Sequence, residues 1–208
     1  MALLTIMLLI LLSIFCTDSS LAVLRNITPF QYLSDDTTLV SKEGSFELGF
    51  FTPESISKNH YMGIWYKNVL VRTVIWLGTG NNSVVWSRSL AKQAKRPKLD
   101  LLDSRNLVVT EEEDTNPKKY LWQSFDYTSD TMMPGMKFEW DLRTSLNRCL
   151  SAWKNWDDPC SANFTYGIEF DRRSRTFFEA VIQKESVEFY RTGPWNGLRY
   201  SDAPDLKA

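Results

Sequence analysis

Four aspartates are the first groups in this sequence able to do chemistry: Asp126 with Asp130, and the adjacent pair Asp157 and Asp158. A glycoside hydrolase needs two carboxylates facing each other about 5–10 Å apart across a bound sugar. Adjacent residues of a strand point to opposite faces, and Asp157-Asp158-Pro159 reads as a turn, so the adjacent pair does not meet that demand. A Gly-x-Ser-x-Gly nucleophile elbow, a Gly-rich phosphate loop, a Val-Ala-Ile-Lys-like strand and a His-Arg-Asp loop are all missing from the 208 residues. His60 is the single histidine, which leaves a His/Cys metal site short of ligands. The expectation is a protein that is not an enzyme and carries no cofactor and no metal. A cell-wall glycoside hydrolase is kept only as a remote alternative.

The elements that would have to position any site begin with an apolar run, Met1 to Phe15, with no charged side chain before Asp18. That pattern, followed by small residues and a polar chain, is a secretory signal peptide. Ser20 and Ala22 place the cut after Ala22, giving a signal peptide over 1–22. No second long apolar run follows, so no membrane span is expected in the mature chain, and the protein is expected outside the cell, in the apoplast or wall. Three Asn-x-Ser/Thr sequons, at Asn26, Asn81 and Asn163, are N-glycan acceptors in such a chain. Cys16 leaves with the leader. Cys149 and Cys160 remain, and the readings stay open: one disulfide, two thiols, or one thiol pairing with another chain.

Basic and acidic residues nearly balance, 24 against 25, for a net charge of -1. No basic field is present to hold nucleic acid. Past the leader the chain reads as short β-branched and aromatic runs separated by turn clusters. These are 38–40, 46–51, 61–66, 73–77, 84–86, 99–102, 106–109 and 121–125, with Lys42-Glu43-Gly44 and Thr52-Pro53-Glu54 among the breaks. A charged stretch, Glu111 to Lys119, reads as an exposed loop. Beyond it come strands at 164–170, 176–181 and 187–190, the first with a period of two in Phe164, Tyr166, Ile168 and Phe170. The fold class is all-β. Aromatic content is 13%, with eight tryptophans, and each Trp is read first as core packing.

Several of these strings, in order, carry a resemblance. Ser34-Asp35-Asp36-Thr37-Thr38-Leu39-Val40-Ser41, Gly44 to Phe51 and Gly63-Ile64-Trp65-Tyr66 come first. Leu101-Leu102-Asp103-Ser104 with Asn106 to Val109, Leu121 to Tyr127, Pro134-Gly135-Met136-Lys137 and Gly193-Pro194-Trp195-Asn196-Gly197 follow. Together they resemble the bulb-type (G-type) lectin ectodomain of plant S-locus glycoproteins and S-receptor-like kinases. The resemblance implies a bulb-lectin-like β-prism over 23–120, and a second, β-rich lectin-like region over 121–208. The chain ends ahead of the cysteine-rich modules, membrane span and kinase of family receptors, so no kinase activity is expected of it.

Such prisms hold mannose on a Gln-x-Asp-x-Asn-x-Val-x-Tyr strand, whose polar groups bond sugar hydroxyls from one face. The matching positions here are Leu102, Ser104, Asn106, Val108 and Thr110, and only Asn106 and Val108 agree. Weak or absent mannose binding is therefore expected at Asn106 and Val108, and Asn106 reads first as a turn or ladder residue. A strand repeat of the family also drops out: Val74-Ile75-Trp76-Leu77 runs almost directly into Val84-Val85-Trp86-Ser87, so the prism is shortened by an internal deletion near 77–84. The expected function is a secreted recognition module for a mannose-type glycan or, ahead of it, a protein partner such as a receptor ectodomain. The alternative is a truncated family copy without function of its own.

Overall fold

The structure, a computed structural model, describes residues 22–53, 60–69, 74–78, 94–114, 116, 119–141, 143, 146–155, 158–170 and 177–202. Fourteen strands lie within them, and the longest helical element described is one 3-10 turn, Ser124–Asp126. The all-β expectation holds.

The first sheet has the order β1-β2-β3-β4-β5. Its strands are Ala22–Leu24, Thr37–Val40, Phe46–Phe51, Tyr61–Tyr66 and Val74–Gly78. Here β1 joins β2 in parallel, and the Ala22 N–H donates to the Asp36 carbonyl at 2.9 Å. The cut expected after Ala22 therefore falls inside the first strand. The Lys42-Glu43-Gly44 turn is present: Gly44 N–H closes on the Ser41 carbonyl with φ +80°, a conformation that glycine takes without strain. All of β4 except Tyr66 is buried, because both of its faces are covered. One face carries Met62 and Ile64 into the core. The other carries Trp65, whose ring crosses Gly49 so closely that a Cβ there would sit 2.8 Å from it.

The second sheet is β6 (Pro97–Leu101), β7 (Leu107–Glu111) and β8 (Trp122–Gln123) in that order. It shares one core with the first: Leu39, Phe46, Leu48, Met62, Ile64 and Ile75 meet Leu101, Leu107, Phe125, Met133 and Met136. A bridge between Ile27 and Leu99 ties the sheets at the edge. The internal deletion expected near 77–84 and the strand expected at 84–86 fall almost wholly outside the described residues.

A short hairpin, β9 (Trp140–Asp141) with β10 (Leu146–Asn147), leads into the last sheet. That sheet is β11 (Leu150–Asn155), β12 (Asp158–Phe170), β13 (Phe178–Lys184) and β14 (Val187–Arg191), all antiparallel. Asn155 pairs with Asp158, so Asp158 and Pro159 belong to the strand rather than to the turn. On the β12 face that carries Phe164, Tyr166, Ile168 and Phe170, register adds Phe178, Ala180, Ile182 and Tyr190. Strand β14 is an edge strand of this sheet among the described residues and is largely exposed, Val187 at 70% and Phe189 at 69%.

On the opposite face, Arg191 reaches Glu179 (2.6 Å), Glu169 (2.9 Å) and Glu188 (2.9 Å), tying three strands together. Burial works against its charge, but the hydrogen bonds to Glu188, Glu179 and Glu169 outweigh it and hold the guanidinium above the usual arginine range.

The register of β11 and β12 corrects the open disulfide reading. Leu150 pairs with Tyr166, so Cys149 lies beside Gly167, while Cys160 lies near the turn. At about 3.3 Å per residue, β12 from Cys160 to Gly167 is roughly 20 Å long, against a Cα separation of about 6 Å in a disulfide. Both thiols are free. Cys160 Sγ instead lies 3.3 Å from the Tyr61 hydroxyl of β4, where the last sheet meets the first.

Candidate functional site

The strand expected to face a sugar is built around β7. A turn from Leu102 to Asn106, closed by Leu102 N–H to the Asn106 carbonyl and Arg105 N–H to the Leu102 carbonyl (both 2.9 Å), delivers the chain into it. Strand β7 is the middle strand of its sheet, paired with β6 on one side and β8 on the other. Ser104 is exposed at the turn, but Asn106 (5%), Val108 (1%) and Thr110 (6%) are buried. Leu107 and Val109, on the other face, are buried as well, so neither face of this strand is open to a ligand.

The Asn106 side chain is committed to the protein. Its Nδ2 donates to Gln123 Oε1 at 3.0 Å, and its Oδ1 accepts from Ser124 Oγ and Phe125 N–H, each at 3.2 Å. Ser124 Oγ in turn accepts the Leu107 N–H at 2.9 Å. From Gln123 the network continues outward. Gln123 Nε2 donates to Asp126 Oδ1 (3.1 Å), which also takes Arg148 Nη2 at 2.6 Å, and Arg148 Nη1 reaches Glu139 at 2.9 Å. A run of polar side chains thus links β7, β8, the 3-10 turn and the chain on either side of the β9–β10 hairpin. Beside Val108 and Thr110, the cross-strand neighbours Asp100 and Lys98 form a 2.9 Å ion pair.

The carboxylates first considered for acid–base chemistry are spent the same way. Asp126 is held by Arg148, and Asp130 accepts from Ser129 and Thr131. Asp158 accepts the Cys160 N–H, which with the neighbouring Lys154 keeps its carboxyl below the usual range despite some desolvation. Asp157 lies outside the described residues. His60, largely exposed, stands 3.7 Å from Asp35 and 3.4 Å from Thr52. Among the described residues, no three His, Cys, Asp or Glu side chains converge as a metal set. No helix among them is long and apolar enough to cross a membrane. Of the sequons, Asn26 is exposed in a loop and Asn163 is exposed on β12, its Nδ2 donating to Glu185 at 2.8 Å; Asn81 is outside the described residues.

Sequence reasoning missed the partners of Asn106. Gln123, Ser124 and Asp126 stood inside a motif, but nothing in their spacing showed that they bond back to residue 106. Arg148 carried no signal at all. A second group also escaped it: Arg105, at φ +74°, lays its guanidinium 4.8 Å from the Phe46 ring centroid and 5.8 Å from that of Tyr66.

Comparison with known proteins gives the class first. The family model described as D-mannose binding lectin matches residues 67–154, a stretch that holds the whole of β7 and runs past residue 120 into β11. S-locus-specific glycoprotein S6 of Brassica oleracea is 37% identical over 93% of this chain and 49% of its own length. Receptor-like serine/threonine-protein kinase SD1-8 of Arabidopsis thaliana is 35% identical over 84% of the chain and 23% of its own. A G-type lectin S-receptor-like serine/threonine-protein kinase of the same plant is 31% identical over 94% and 26%. Over most of its length the chain is similar to S-locus glycoproteins and S-receptor-like kinases, and the lectin family model lies within that stretch. It spans about half the length of the glycoprotein it matches, and about a quarter of the kinases.

Proposed function

We propose that this chain is a secreted recognition module of the S-locus glycoprotein and receptor-ectodomain type, without kinase activity, whose partner is a protein surface rather than mannose held on β7. The observation that carries this reading is the state of Asn106: its polar atoms are bonded within the protein, and Val108 beside it is buried. For β7 to take a sugar, hydroxyls would have to displace those bonds and leave buried groups unpaired, at about 1–3 kcal/mol for each group.

The proposed organisation is a leader over 1–22, a lectin-like unit over 23–120 and a second lectin-like region over 121–208. A missing block is supported by the length of the alignment with the glycoprotein, and its proposed place near 77–84 rests on the run of Val74-Ile75-Trp76-Leu77 almost directly into Val84-Val85-Trp86-Ser87. That alignment is 219 residues long yet takes up 93% of a 208-residue chain, so it includes positions that this chain lacks. Glycans at Asn26 and Asn163 agree with the exposure of both side chains.

The test is expression with the native leader in a plant secretory system. Glycan-array binding of the secreted protein is then compared with capture of receptor ectodomains of the same family. Ectodomain capture with silence toward mannose-type glycans is the expected result. Mannose binding that competes with free mannose would refute the reading of β7, and retention of all protein inside the cell would favour a family copy without function.

A further inference from the structure

Arg105 carries two costs at one position. It is not glycine, yet its φ is +74°, where an L side chain is strained. Its Nε is buried and has no hydrogen-bond partner, a loss that buried donors seldom accept. A glycine at this tight turn would avoid both. What fixes the side chain is aromatic: the guanidinium lies over the Phe46 and Tyr66 rings, themselves 5.2 Å apart. A cation held this way is planar and pre-oriented. Its terminal nitrogens are not among the buried unsatisfied atoms, and no hydrogen bond occupies them among the described residues.

Two carboxylates share the same end of the molecule. Asp103 lies in the Leu102–Asn106 turn, and its Oδ1 accepts the Glu43 N–H at 3.0 Å; Glu43 itself and Ser104 are exposed. A polyanion would meet repulsion there. A ligand with one carboxylate and several hydroxyls would not. Its carboxylate would pair with the free guanidinium edge, while its hydroxyls would donate to the carboxylates of the turn.

We propose that the Leu102–Asn106 turn, with Arg105 stacked on Phe46 and Tyr66, binds a uronate-type acidic sugar through its single carboxylate. This rests on the recognition-module reading but uses the turn instead of strand β7.

The test is calorimetric titration of the full secreted chain with a methyl galacturonoside, a sugar with one carboxylate. Mannotriose and an aspartate-rich peptide serve as comparators. The expected result is uronate binding, little mannotriose binding, and a loss of tenfold or more in Arg105→Met, which keeps apolar contact with both rings. Arg105→Lys keeps the charge without the planar pair of donors and loses several-fold; it decides the matter should Arg105→Met fail to fold. No uronate binding by the wild-type chain, equal binding by a folded Arg105→Met, or tighter binding of the acidic peptide overturns the proposal. Ectodomain capture that persists while uronate binding is absent removes this site alone and leaves the broader reading standing.

Discussion

Asn106 Nδ2 donates to Gln123 Oε1 at 3.0 Å, and by that bond the end of one strand is locked to its neighbour from inside the sheet. Asn106→Ala removes this bond and leaves the Phe125 N–H and Ser124 Oγ without their acceptor. A loss of about 2–3 kcal/mol is expected, to be measured by urea unfolding. A change below about 0.5 kcal/mol would show that the side chain is dispensable to the fold and available to something else.

Gly49→Ala tests the close approach on the outer face of the first sheet. The new methyl would meet Trp65 Cη2 at 2.8 Å and Thr38 Cγ2 at 3.0 Å. Neither neighbour is free to withdraw, since the Trp65 Nε1–H and the Thr38 hydroxyl both donate to Glu47. Overpacking of this kind costs about 1–3 kcal/mol, and a lowered melting temperature with unchanged circular dichroism is the expected result.

Arg191→Met separates charge from packing in the last sheet. It leaves Glu179, 4% exposed, as a buried carboxylate without its cation. Removing one partner of a buried ion pair costs about 3–5 kcal/mol, and urea unfolding at neutral pH is expected to show a loss of that order; a variant as stable as wild type would contradict it.

The two thiols give a fourth test. Unfolded, unreduced protein should take up alkylating reagent at both Cys149 and Cys160. Cys149→Ser should not produce the 2–5 kcal/mol loss typical of a removed disulfide. Burial pushes the Cys149 thiol above its usual pKa, partly offset by a backbone hydrogen bond, so native protein at pH 8 should label there more slowly than an unstructured cysteine does. Mass spectrometry of the labelled peptides resolves both points.

The strands that could be read from sequence were those whose side chains alternate or run apolar. Phe46–Phe51 and Tyr61–Tyr66 were read to the residue, because both are aromatic-rich and bounded by turn residues. Strand β11, Leu150–Asn155, was not, since its Lys154 and Asn155 and its register shifts break any period of two. The Asn106 position was legible as a motif remnant with a structural role. Its partners were not, because a hydrogen bond between residues 17 and 18 positions apart leaves no periodic trace. Arg105 was invisible for a related reason: stacking on Phe46 joins the Leu102–Asn106 turn to the start of β3 through space, and only the backbone angle marks it.

The exposed β14 row has a practical meaning for anyone making this protein. Val187, Phe189 and Tyr190 present an extended apolar stretch on an edge strand of the last sheet even after folding is complete. Such a stretch is what folding chaperones and neighbouring chains bind most readily. Yield should then fall with expression level and recover at lower temperature, and a charged residue in place of Phe189 should raise the soluble fraction before it changes any binding property.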